Sequence, residues 1–246
     1  MNAQDVVRQL RKDAKESAAK IYRRHGVKDE VLGVRYAAMG KLVKSLPTDH
    51  DLACELWATG IHEARVVATK IADPARLTRA EADRWLADAQ DYVLVDAVSA
   101  LAARASDAGA WAERWMLSPR EWTSAAGWNV VSLLAMNGAL DPKAGEKLLG
   151  IIRKRIHDAP NRTRYAMNGA LISIGGSMPG LTDVAIEAAE AIGTVDVDHG
   201  QTGCKTPVAA DYIRKMAARA LARTRVTGAR MKPASAKRRK SPQPRG

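Results

Sequence analysis

Residues 119–136, PREWTSAAGWNVVSLLAM, decide how this chain is built. The run opens on Ser118-Pro119-Arg120-Glu121, in which proline takes the first turn and glutamate sits where a capping box needs it. It then continues with no further proline and no strand-like alternation. Two other stretches align with it without gaps, DYVLVDAVSALAARA at 91–105 and NRTRYAMNGALISIG at 161–175, each at a spacing of 36 residues. That period is the length of a helical pair, and stacked pairs make a solenoid.

The rest of the chain repeats the same punctuation. Thr78-Arg79-Ala80-Glu81 is a second capping box, and Asp141-Pro142 and Asn161 start further helices. Reading between these marks predicts helices near 2–24, 30–45, 48–58, 62–72, 78–89, 91–105, 108–117, 119–136, 141–157, 161–175, 180–192 and 207–222. Short connections make neighbours antiparallel, so the expected fold is an all-α superhelical solenoid over residues 1–222. Residues 223–246 hold nine basic side chains and no acid, among them Lys237, Arg238, Arg239 and Lys240, leaving +3 of the formal +12 for the body. Rich in Pro, Ser and Lys/Arg, this tail is expected to be disordered. It reads as an arm that binds phosphates by counterion release, or as a solubilising extension.

Hydrophobic residues make up 46% of the 246, enough for a sizeable core, and with no Phe that core must come from aliphatic side chains and six Trp. No stretch of eighteen uncharged apolar residues occurs, and the amino-terminal segment is a charged amphipathic helix. A soluble, cytoplasmic monomer with no membrane contact is expected. Cys54 and Cys204 form no CxxC pair, so reduced thiols, no metal and no cofactor are expected.

Helical-wheel positions, at about 100° per residue, divide the three aligned helices. Leu94, Val98, Leu101 and Ala105 form one core stripe, Trp122, Ala126, Val130 and Leu133 the next, and Ala166, Met167, Ala170 and Ile174 the third. Opposite them lie Tyr92, Asp96, Ser99 and Ala103, then Trp128, Asn129, Ser132 and Ala125, then Arg164, Tyr165, Asn168 and Ile172; the alignment superposes Tyr92, Trp128 and Arg164 and, one turn later, Asp96, Ser132 and Asn168. These faces mix aromatic, small and uncharged polar residues with one acid and one arginine, the texture of a lined groove.

In that groove Asp96 reads as a carboxylate near Arg164, able to stabilise a cationic transition state or orient water. Its plain structural reading is an ion pair that fixes the packing of neighbouring repeats. Tyr92 and Trp128 read as surfaces for a sugar or base, and Trp57, Trp85, Trp111, Trp115 and Trp122 as core. Two further segments carry secondary candidates. HEAR, at 62–65, supplies His62 and Arg65; DHGQTGCKTP, at 198–207, supplies His199 and Lys205 in a glycine-rich turn. That turn is read as structural. Two readings stay open beside it: a partial metal set of Asp198, His199 and Cys204, and backbone N–H groups aimed at a phosphate.

Taken in order, GVKDEVLGVRYAAMGKLVK, LWATGIHEARVVATKIADP, DAQDYVLVDAV, PREWTSAAGWNVVSLLAM and NRTRYAMNGALISIG resemble the DNA alkylation repair glycosylases built from HEAT-like repeats, over residues 25 to 220. The resemblance implies a solenoid of HEAT-like helix pairs, double-stranded and alkylated DNA as partner, and excision of cationic N3- or N7-alkylpurines. It also implies an aromatic residue four positions before an aspartate, which falls on Tyr92 and Asp96, with tyrosine for the usual tryptophan. The family's arginine falls near Ala125 and its second tryptophan near Gly169. Neither residue type stands there, and the expected DNA-binding site is Tyr92 with Trp128, Arg164 and Asn168, with Asp96 as its catalytic carboxylate. The alternative is a noncatalytic binder of DNA or of a protein partner. The NRxRYAMN and DHGxTxCKTP segments mark a divergent branch.

Overall fold

A computed structural model describes residues 1–230. Thirteen α-helices follow in order: α1 (Ala3–Lys12), α2 (Glu16–Arg24), α3 (Tyr36–Ser45), α4 (His50–Ala58), α5 (His62–Ile71), α6 (Arg79–Asp88), α7 (Tyr92–Ala102), α8 (Ala108–Met116), α9 (Glu121–Met136), α10 (Pro142–Arg155), α11 (Asn161–Ser177), α12 (Thr182–Ile192) and α13 (Ala209–Arg230). Among the described residues the only β-pairing is an isolated bridge between Glu30 and Ile61. From α4 onward the helices pack as pairs, α4 with α5, α6 with α7, α8 with α9, α10 with α11 and α12 with α13. The second members, α5, α7, α9, α11 and α13, also contact one another in sequence. The architecture is therefore the helical solenoid that the repeat pattern predicts, and the three aligned stretches are consecutive members of one row. No single helix is long and apolar enough to cross a membrane.

Between the rows lies an aliphatic core, including Leu56, Ile71, Leu94, Leu101, Leu149, Ile152, Leu171 and Ile174, all essentially inaccessible. The tryptophans wedge its outer side. Trp57 and Trp85 stack in parallel with ring centroids 4.4 Å apart. Two of the indoles have carboxylate partners: Trp57 Nε1 donates to Asp88 and Trp115 Nε1 to Asp83. A buried indole N–H without an acceptor would cost free energy, so each is paired.

Two boundaries differ from the sequence reading for one reason. The stretch 2–24 is two helices, broken between Lys12 and Glu16, and residues 30–35 lie outside any helix. Glu63, fully buried on α5, accepts hydrogen bonds from the backbone N–H groups of Leu32, Gly33 and Val34 at 3.1, 2.6 and 3.0 Å. A buried carboxylate needs such donors, and it takes them from a helix start. The captured segment lies against the break in the first hairpin, where Lys15 N–H donates to Gly33 O. A Cβ at Gly33, whose φ is +85°, would stand 2.2 Å from Lys15 O, so only glycine fits.

The caps are also redistributed. Thr78 Oγ1 accepts from Glu81 N as predicted, but the Glu81 side chain turns away to His50 and Cys54, leaving half of the box. Asp141 caps α10 through Ala144 N. The start of α11 has no cap of its own: Glu121 of α9 accepts from Arg162 N at 2.6 Å, which docks one repeat onto the next. At the far end α13 runs to Arg230, eight residues into the stretch read as tail. Lys237, Arg238, Arg239 and Lys240 lie outside the described residues.

Candidate functional site

α7, α9 and α11 build a small recess lined by Tyr92, Val95, Asp96, Trp122, Ala125, Asn129, Arg162, Tyr165 and Ala166. Asp91 caps α7 by accepting from Leu94 N, which places Tyr92 at the first helical position and Asp96 one turn on. Asn129 of α9 donates its side-chain amide to Asp96 Oδ1 at 2.8 Å. The Arg162 guanidinium of α11 lies 5.3 Å from the Tyr92 ring centroid and 5.8 Å from that of Trp122, a cation between two aromatic faces. Behind Tyr92, its hydroxyl shares a 2.5 Å hydrogen bond with His25 Nδ1.

Solvent reaches the Asp96 side chain, yet protein surrounds the carboxylate from most directions because it sits at the floor of a concavity. That partial desolvation pushes its pKa up to about 6, against the opposing pull of the Asn129 amide and Arg162 and with some help from Asp91. It is therefore ionised at neutral pH and titrates just below. Burial likewise raises Tyr92 and Tyr165. An anchored carboxylate, a fixed guanidinium and two rings can together accept a polar, ring-faced or cationic group. The recess is shallow, however, with about 30 Å³ of free volume, room for a couple of waters and not for a nucleobase.

The predicted groove residues divide. Tyr92 and Asp96 share the recess, but Trp128, Arg164 and Asn168 do not. Trp128 is buried and lines a larger cleft of about 320 Å³, together with Met116, Ile151, Arg155 and Met167, towards the outer helices. We place the functional site in the smaller cavity because the acid, the guanidinium and the two rings converge there, whereas the walls of the larger one are chiefly apolar. Arg164 donates to the carbonyls of Ala159 and Asp196. Asn168, almost wholly buried, donates to Pro207 O. Ala125, Asn129 and Tyr165, on the expected groove face, do line the recess, and in place of the other three the structure supplies Trp122, expected in the core, and Arg162.

The correction has a simple geometric cause. Asp96 and its partner Asn129 are 33 residues apart, and the next lining residue in that row, Ala166, follows after 37. The same unequal steps carry Tyr92 to Ala125 and then to Arg162. A uniform period of 36 overshoots the second helix by three residues, which turns the chosen face by about 60°. Trp122 and Asn129, seven residues apart, return to within about 20° of each other on the wheel, which is the signal that would have found the pair.

The secondary candidates lie elsewhere. His62 is fully buried, facing the Tyr22 ring and, at 3.6 Å, Asp91, whose own pKa burial raises. Arg65 bonds Asp29 and the carbonyl of Trp57 and stacks on the Trp57 ring. His199 meets Tyr165 edge-on, and Lys205 is exposed in the following loop. Both cysteines are free. Cys54 joins His50 and Glu81, whose ligand atoms lie within 4.8 Å of one another. The two Glu81 oxygens accept from the imidazole Nε2 and the thiol, which makes a hydrogen-bonded triad, while His50 Nδ1 is buried without a partner among the described residues.

Residues 6–220 match the sequence profile of the family described as DNA alkylation repair enzyme. The chain belongs to that family. Uncharacterized proteins of Listeria innocua and Listeria monocytogenes are each 30% identical to it over 202 residues, spanning 80% of this chain and 88% of theirs. A solved structure described as belonging to a new family of proteins related to the HEAT-like repeat DNA glycosylases, with affinity for branched DNA structures, superposes with a TM-score of 0.82. It is 31% identical, over 89% of this chain and 95% of its own. Tyr92 and Asp96, the spacing that the resemblance implies, both line the recess, and the arginine beside them, Arg162, stands at the start of α11.

Proposed function

We propose that this member of the DNA alkylation repair family binds DNA along the face built by α7, α9 and α11. The Asp96 recess then lies against the sugar–phosphate of a nucleotide that stays in its stack. The observation that carries this reading is the recess itself: an acid held by Asn129 and a guanidinium held between Tyr92 and Trp122, in a space too small to receive a flipped base. Such a surface grips backbone and senses distortion of the duplex, as at a branch point or beside an alkylated base. The solved neighbour's affinity for branched DNA favours the same class of ligand.

A second reading rests on Asp96 in particular. Ionised above pH about 6 and fixed by one amide, it is suited to stabilise an oxocarbenium-like sugar while a cationic N3- or N7-alkylpurine departs. The N-glycosidic bond breaks and its electron pair leaves with the base, neutralising it. Water adds to the sugar carbon and gives up a proton to the carboxylate.

One set of assays tests both. Full-length protein should retard a four-way junction or a duplex carrying N7-methylguanine more strongly than unmodified linear duplex. Equal affinity for all three, or none, overturns the first reading. Release of free methylpurine that disappears in Asp96→Asn establishes the second, and no release from wild type removes it.

A further inference from the structure

The two segments that mark this branch in sequence, NRTRYAMN at 161–168 and DHGQTGCKTP at 198–207, turn out to be one structural unit. Asn161 and Asp198 exchange two hydrogen bonds, amide to carbonyl at 2.8 Å and backbone N–H to amide oxygen at 2.7 Å. Arg164 donates to Asp196 O at 2.9 Å, Tyr165 packs edge-on against His199 at 5.4 Å, and Asn168 holds Pro207 O at 3.0 Å. Inside the loop His199 Nε2 and Thr206 Oγ1 close the base with a 3.0 Å hydrogen bond. The polar face of α11 is thus spent on clamping both ends of one loop.

Connections between paired helices in bundles usually need two to eight residues, yet sixteen, 193–208, join α12 to α13. Ordering such a loop costs roughly 1–2 kcal/mol per residue in backbone entropy, so a long, clamped, structureless connection signals use rather than linkage. Its clamped base leaves Gln201, Gly203, Cys204 and Lys205 facing solvent. The loop stands next to the recess: Tyr165, which lines it, is the ring against which His199 packs edge-on. The distal leg from His199 to Pro207 has a lysine and no acid, and the Asp198 carboxylate accepts from Gly200 N within its own turn. Lys205 has no ion-pair partner among the described residues.

We propose that the 198–207 loop is a built contact for the DNA backbone, in which Lys205 takes a phosphate flanking the nucleotide held at Asp96. The inference rests on the DNA-binding reading above and adds the element that sets register along the strand. A phosphate is the ligand because an exposed, unpaired cation on a loop packed against a wall of an aromatic recess complements a phosphodiester joined to a sugar.

The test is the salt dependence of binding of the full chain to the junction or methylated duplex that wild type holds best. Lys205→Gln should lose about three- to tenfold in affinity at 0.1 M salt and lower the slope of log K against log salt by about one, with unchanged melting. In parallel, DNA carrying a disulfide-activated thiol on a phosphate beside the branch or lesion should cross-link to Cys204. Cys204→Ser should abolish that product, while Cys54, half-buried and bonded to Glu81, serves as internal control. Wild-type affinity and slope in Lys205→Gln, or no cross-link, overturn the loop contact while leaving DNA binding intact. Wild type that binds no DNA overturns both.

Discussion

Two cavities flank α9, and they contrast in what they hold. The larger, about 320 Å³, is walled by Trp128, Met116, Ile151 and Met167, with Arg155 and Asp158 at its edge. The smaller, about 30 Å³, brings Asp96, Asn129 and Arg162 together with two aromatic rings. Volume follows from imperfect packing between the helix rows, whereas chemistry follows from which polar groups the core forces to converge. In this solenoid the two have separated, and the groups suited to a sugar and a phosphate lie in the space that cannot swallow a base.

The strongest way to break that contrast is Trp128→Ala. If the large cleft is packing, the loss of a buried indole should cost about 3–5 kcal/mol in urea unfolding while DNA affinity of the folded fraction stays unchanged. Intact stability with lost binding would reverse the assignment of the two cavities. Arg162→Ala comes next. Removing the guanidinium from between Tyr92 and Trp122 should weaken binding to junction or methylated duplex by about tenfold, with a loss of stability under about 1 kcal/mol, measured by titration and by unfolding.

Asp96→Asn sharpens the comparison with a smaller effect of opposite sign. Because the native carboxyl has its pKa raised to about 6, the folded state holds its proton more tightly than the unfolded chain. That contribution to stability is present below about pH 4 and is lost as pH rises through about 6. The variant should therefore match wild type near pH 4 and melt about 1–3 °C higher at pH 7, a gap kept small by the water that reaches the carboxylate. Lower stability of the variant at neutral pH would mean that Asp96 is a packing ion pair. Any activity or binding that needs the carboxylate charged should fall by half near pH 6.

Much of this was legible before any coordinates. The helical pairs at 62–72, 78–89, 91–105, 108–117 and 119–136 follow from caps and periodicity, and the Tyr92–Asp96 spacing sets both side chains on one face because four residues make about one turn. Of the neighbours of that pair, Asn129 and Tyr165 fall on the expected groove face, but Trp122 and Arg162 were not legible. A helix such as α9, with Ser124, Ala125, Ala126, Gly127, Trp128, Val130 and Val131 all buried, has no broad polar stripe from which to read a face. A three-residue inequality between repeats was then enough to exchange Trp122 for Trp128. Arg164 and Asn168, read as facing a ligand, face a loop instead, which no local pattern records.

By itself the sequence determined most of the helices from residue 48 onward, the stacking of helix pairs and the placing of one acid one turn after one tyrosine, because these depend chiefly on interactions within a few residues along the chain. Only the tertiary structure decided which side chains meet that acid. The distance between repeats is fixed by how loops and cores fit, as Glu63 shows in drawing residues 32–34 out of a predicted helix and Glu121 in capping the helix of the next repeat. Such contacts join residues 29 to 41 positions apart, and their free energy outweighs the local propensities that a reader of the sequence can sum.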